Sequence, residues 1–183
     1  KGRFERELDE VLPPAGIRWE MMPDLPGNLA TPEVLDRYDA VFALATKFTA
    51  GSLRGVSRLA LVARWGVGYD MIDTRALTEA GVLLAITPDA VKRPVAEAIL
   101  ALVFALSKNL LLQDRVTRGG GWRGQLPRLG RCLAGRTLGS LGCGNIAREM
   151  FRLARPLGFG RLLACDPYVT AEAVRAEGIE LVD

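Results

Sequence analysis

The sequence has 183 residues, 49% of them hydrophobic and 25% charged, with a formal net charge of +3. That is the balance of an ordinary globular protein, long enough for one large domain or two small ones with real cores. Arginines are spread throughout rather than clustered and no nucleic-acid motif is present, so a basic partner patch is not indicated.

Lys1–Leu12 reads as a helix, with Phe4, Leu8, Val11 and Leu12 on one face and charges on the other. Pro13-Pro14 stops it, Ile17–Met21 is expected to be a strand, and Pro23–Asn28 a loop. Thr31-Pro32 supplies an N-cap and a first-turn proline for a short helix to about Arg37. A buried strand is expected over Asp39–Ala45, a short helical segment over Ser52–Val56 and a strand over Leu59–Ala63. Asp73 caps a helix to Ala80, Gly81 ends it, and Val82–Ile86 is another strand. The alternation predicts an α/β protein with parallel sheet and helices on both faces.

Pro88–Pro94 interrupts the rhythm and reads as a link between two domains, 1–90 and 91–183. Pro94 is expected to open one long helix to about Arg118. Its first half, Val95–Leu106, is apolar almost all round, which predicts burial on several sides, by a second subunit or inside one chain. Gly119–Gly135 is a glycine-rich loop, Ala171–Ala176 a short helix, and Ile179–Val182 the start of a strand.

Thr137–Asp166 carries the densest signal. Thr137–Leu141 is a short apolar strand, expected to be buried on both faces. Gly142-Cys143-Gly144 lets the backbone turn sharply and approach a ligand. A helix follows, its apolar stripe made of Ile146, Met150, Phe151, Leu153, Ala154 and Leu157, and Arg161–Cys165 is the next strand. A helix N-terminus offers N–H groups and partial positive charge to a pyrophosphate. Asp166, at the end of the second strand, can accept the ribose hydroxyls, near the spacing of about 20 residues such acids show. Ala147 takes the third position of G-x-G-x-x-G. The pattern predicts a dinucleotide site at Gly142, Cys143, Gly144, Asn145, Ile146, Asp166 and Pro167. NAD is expected over NADP, because Asp166 would repel a 2′-phosphate and Pro167, Tyr168 and Val169 carry no charge. A tight turn without ligand and an adenosyl-methionine site are the alternatives. The helix field could lower the Cys143 thiol pKa, yet hydride transfer needs no thiol.

A second glycine pair follows the Leu59–Ala63 strand, in Arg64-Trp65-Gly66-Val67-Gly68-Tyr69-Asp70. Glycines at alternate positions let successive N–H groups form an anion nest, and Gly66, Val67 and Gly68 are the expected holders of a small carboxylate. A turn that needs glycine only for its conformation would look the same. Three cysteines without C-x-x-C spacing suggest a reducing cytoplasmic setting and no metal site. No apolar run is long enough to span a bilayer.

With these residues laid out, the chain resembles the D-isomer-specific 2-hydroxyacid dehydrogenases of the phosphoglycerate and hydroxypyruvate/glyoxylate reductase group. The resemblance rests on ARWGVGYDMID (63–73), Thr87-Pro88, Val95–Glu97, Gly121-Trp122, LAGRTLGSLGCGNIA (133–147) and Cys165-Asp166-Pro167-Tyr168. It implies a flavodoxin-like substrate domain followed by a Rossmann NAD-binding domain, both partial, and a homodimer through the helix after Pro94. The implied reaction moves a hydride between nicotinamide and a small 2-hydroxy or 2-keto carboxylate. In that family an arginine, a glutamate and a histidine do the chemistry; all three are expected beyond Asp183, and the sequence contains no histidine. No catalytic residue is therefore assigned within 1–183, and the stretch is expected to be incomplete at both ends and inactive alone. Ala43, Met71, Ile86 and Ala98 depart from frequent family residues and weaken an assignment to 3-phosphoglycerate, while Lys47 reads as a solvated loop lysine. A dinucleotide-sensing corepressor of the same fold, which binds without turnover, is the alternative function.

Overall fold

A computed structural model describes residues 3–183. The chain forms two compact units, divided between Ile86 and Thr87. The first contains α1 (Arg3–Val11), α2 (Pro32–Leu35), β1 (Ala40–Ala43), β2 (Leu61–Arg64), α3 (Thr74–Glu79) and β3 (Leu83–Ile86). Its sheet is wholly parallel in the order β1-β2-β3, and the register lines up Ala43, Arg64 and Ile86 across the carboxyl edge. Leu35, Val41, Phe48, Val62 and Leu77 form the centre of its core. Asp73 caps α3 as expected, its carboxylate accepting from the Ala76 N–H at 3.0 Å. The part of the first expected helix at residues 1–2 lies outside the described residues.

Three expectations fail in this unit. Ile17–Met21 is irregular, not a strand: its apolar residues Ile17 and Met21 are half exposed and no ladder pairs with it. A short alternating run needs a neighbouring strand, and β1 pairs with β2 instead. Ser52–Val56 is a set of turns, not a helix. The buried Ser52 and Thr49 exchange bonds, Thr49 N–H to Ser52 Oγ at 3.1 Å and Ser52 N–H to Thr49 Oγ1 at 3.3 Å. Such local side-chain bonds compete with helix. Finally, β1 is buried on one face only: Val41 and Ala43 are enclosed, while Phe42 turns outward onto Trp65, ring centroids 5.2 Å apart.

The second unit contains α4 (Pro88–Ser107), α5 (Leu110–Arg118), β4 (Thr137–Leu141), α6 (Asn145–Ala154), β5 (Arg161–Cys165), α7 (Ala171–Arg175) and β6 (Glu180–Leu181). Its sheet is parallel in the order β4-β5-β6. Ala96 and Leu100 of α4 enter the same buried cluster as Met150, Phe151 and Ala154 of α6, so the two helices pack together. Fully burying a phenylalanine such as Phe151 contributes about 1.5–3 kcal/mol.

Pro88–Pro94, expected as a break in the rhythm, is helical and forms the first turns of α4, directly after the division between the two units. Thr87-Pro88 with Asp89 is itself a helix start, and Pro94 sits inside the helix at the cost of one backbone bond. The expected single helix to Arg118 is two, bent by 60° at 108–109, where Asn109 adopts φ +53°. The 119–135 loop docks on that break: the Arg131 N–H donates to Ser107 O at 2.7 Å, and Lys108 Nζ to Arg131 O at 2.8 Å. Burial of α4 is one-sided, with Leu102 and Leu106 left exposed, as is Leu111 of α5. At the end of β4, Leu141 is 95% exposed, so that strand is not enclosed on both faces. Among the described residues no single helix is long and apolar enough to cross a membrane; α4 and α5 together pass by length and composition but are bent.

Candidate functional site

β4 delivers the chain to Gly142, whose φ of +96° is open to glycine and strained for any other residue. Its N–H donates to Cys165 O at 2.8 Å, and Ser140 Oγ donates to Gly142 O at 2.8 Å. Cys143 then turns inward and is 1% exposed, and burial pushes its thiol pKa up. The expectation that the helix field would lower it is corrected: desolvation outweighs the cation of Arg148.

Gly144 is the N-cap of α6, at φ −76° and ψ −169°, a conformation any residue can take. No side chain caps the helix, so its first N–H groups face outward with the positive end of the helix dipole. A Cβ built on Gly144 would meet no protein atom within 4 Å. Neither backbone strain nor crowding therefore requires glycine there, and the absent side chain leaves room in front of Asn145 and Ile146. That room fits a phosphate group approaching the backbone. Ala147 is half-buried and packs against the core, as the third fingerprint position requires.

Asp166 stands at the end of β5 beside this turn. Its Oδ2 accepts the Cys143 N–H at 2.7 Å and its Oδ1 accepts the Tyr168 N–H at 2.9 Å. These bonds, with the Val169 N–H, hold its carboxyl below the usual aspartate pKa, so it is an anion at neutral pH. Pro167 and Tyr168 follow it as exposed residues. The structure thus brings Gly142, Cys143, Gly144, Asn145 and Ile146 together with Asp166. What the sequence did not signal is that Asp166 and the glycine turn are directly bonded.

A cleft of about 320 Å³ lies on α6, lined by Lys92, Asn145, Arg148, Arg152, Arg155 and two glutamates among others. Of the expected cofactor residues only Asn145 reaches it. Three of its cations are already paired: Lys92 with Asp89, Arg148 with Glu177 and Arg152 with Glu149.

In the first unit, Gly66 lies just past β2 with φ +127°, again glycine territory. A Cβ there would meet Arg64 Nη1 at 3.0 Å, so the guanidinium lies under the loop. Arg64 Nε donates to Gly68 O at 2.9 Å, tying Gly68 back to the end of β2, and its Nη1 is enclosed without a hydrogen-bond partner. Val67, Tyr69 and Met71 are partly exposed around it. Sequence reasoning assigned Arg64 no role; an arginine two residues before the first glycine was the available signal. Among the described residues no group of three histidines, cysteines, aspartates or glutamates is placed to hold a metal ion.

The family model for the D-isomer specific 2-hydroxyacid dehydrogenase catalytic domain matches residues 20–183. The chain is 33% identical over 138 residues to D-3-phosphoglycerate dehydrogenase of Methanocaldococcus jannaschii, which covers 75% of this chain and 26% of that protein. It is also 33% identical over 138 residues to hydroxypyruvate reductase of Thermotoga maritima, covering 75% and 44% respectively. The chain thus spans less than half the length of either relative. The solved structure of D-2-hydroxyisocaproate dehydrogenase superposes with a TM-score of 0.74 at 22% identity, over 98% of this chain and 53% of that one. That likeness shows the fold, flavodoxin-like and Rossmann in type. The glycine turn and the parallel sheets therefore have their context: this chain belongs to the D-isomer specific 2-hydroxyacid dehydrogenase family.

Proposed function

We propose that the protein is an NAD-dependent oxidoreductase acting on a small D-2-hydroxy acid and its 2-keto acid. The observation that carries the reading is the open space at Gly144 before an uncapped helix, beside an ionised Asp166. The dinucleotide supplies or accepts the hydride. In this reading the N–H groups at the start of α6 hold its diphosphate, Asp166 takes the adenosine ribose hydroxyls and Pro167 lies alongside. An anionic Asp166 and the absence of a cation in Pro167-Tyr168-Val169 favour NAD over NADP.

The Gly66-Val67-Gly68 turn, with Arg64 bonded to Gly68 O, is proposed to hold the substrate carboxylate. Reduction of a 2-keto acid also needs a proton on the oxygen, and no residue of 1–183 is assigned that step. A second copy of the chain is proposed to cover the exposed leucines of α4, and the free Cys132, Cys143 and Cys165 suit a reducing, cytoplasmic setting.

The test is NADH oxidation by the natural gene product with glyoxylate, hydroxypyruvate and larger 2-keto acids. Turnover with at least one is expected. NADH binding with no turnover on any of them would refute the enzymatic reading and leave a binding protein.

A further inference from the structure

We infer that Asp166 is a positioning residue for the glycine turn as well as an acceptor for the ribose, the second half resting on the dinucleotide reading above. A carboxylate has about four acceptor positions. Within the chain Asp166 accepts the Cys143 N–H at 2.7 Å, the Tyr168 N–H at 2.9 Å and also the Val169 N–H. Acceptor capacity is left for a ribose hydroxyl, so the two roles do not compete.

The bond to Cys143 changes which amides serve the ligand. The Gly142 N–H is spent on Cys165 O, and the Cys143 N–H on Asp166. Neither is directed at a diphosphate, which is left to the amides of Gly144, Asn145 and Ile146. Three links then fix the turn that aims those amides: Gly142 N–H to β5, Ser140 Oγ to Gly142 O, and Cys143 N–H to Asp166. Only the last is a charge-assisted bond, the stronger kind. It also satisfies the N–H of a residue that is 1% exposed, which would otherwise be left without a partner.

An acid that served the ribose alone would matter only to ligands with ribose hydroxyls. A brace matters to every ligand with a diphosphate. ADP and 2′,3′-dideoxy-ADP, which lacks both hydroxyls, separate the two. Their affinities are to be measured by calorimetry for the protein, for Asp166→Ala and for Asp166→Asn, with amide hydrogen exchange at Cys143 followed in the unliganded proteins.

Asp166→Ala is expected to weaken both nucleotides, dideoxy-ADP by about tenfold, and to speed exchange at Cys143 while β4 and β5 stay protected. Asp166→Asn, which keeps one acceptor oxygen, is expected to recover most of the dideoxy-ADP affinity. Unchanged dideoxy-ADP affinity in Asp166→Ala, or unchanged Cys143 exchange, would overturn the brace. If neither nucleotide binds the parent protein but Cys143 exchange still accelerates in Asp166→Ala, the brace stands and the dinucleotide reading fails.

Discussion

Gly144→Ser separates what glycine does for the fold from what it does for a ligand. At the N-cap of α6 the backbone is extended, φ −76° and ψ −169°, and the helix lacks a side-chain cap. Serine is a better N-cap than glycine by a few tenths of a kcal/mol. Its Cβ meets no protein atom within 4 Å, so no packing strain opposes the gain. For a unit of this size each kcal/mol moves Tm by about 4–8 °C, so Gly144→Ser is expected to melt about 1–3 °C higher. The same Cβ fills the approach to the amides of Asn145 and Ile146, and NADH affinity is expected to fall by about tenfold or more. Gly142→Ala is the converse. At φ +96° an alanine costs about 1–2 kcal/mol and lowers Tm. Calorimetric melting with NADH titration of both variants provides the assay. A Gly144→Ser protein that melts lower, or binds NADH as tightly as its parent, would refute the reasoning.

Three further outcomes are expected. Titration with both cofactors should favour NAD over NADP, and equal or tighter NADP binding would contradict the assigned role of Asp166. Cys143→Ala should retain most NADH affinity, because the thiol is enclosed and its pKa raised; alkylation should strike the exposed Cys132 first, which mass spectrometry can read. Glu149, Asp166, Glu177 and Glu180 all titrate below their ordinary values, held by Arg152, by the Cys143 N–H, by Arg148 and by Arg161 respectively. Groups with depressed folded pKa values stabilise fully above about pH 5, and that stability is lost as pH falls through the depressed values. Tm measured against pH should be flat above that point and fall below it.

The second unit was the more legible in sequence because its signals are local and agree. A glycine pair, a helical apolar stripe and an acid each fix their own backbone, and β4, α6 and β5 form where that pattern predicted. Asp73 was equally readable, since a cap depends on three neighbouring residues. The failures are those of tertiary context. Ile17–Met21 has an alternating pattern but no partner strand, and Ser52 prefers Thr49 to a helix. Pro94 looks like a start, but Thr87-Pro88 begins the helix first, and the break at Asn109 is fixed by a loop arriving from Arg131. The bond between Asp166 and Cys143 joins the turns that follow two strands, which no spacing rule specifies.

The central claim is that a dinucleotide lies across the Gly144 approach with its diphosphate on α6. A crystal structure of the protein grown with NAD tests it most directly. The account predicts diphosphate oxygens within hydrogen-bond distance of the amides at Gly144, Asn145 and Ile146, with ribose hydroxyls on Asp166 while the Cys143 N–H stays on that same carboxylate. Well-defined NAD bound elsewhere, or with its diphosphate away from the start of α6, would contradict it.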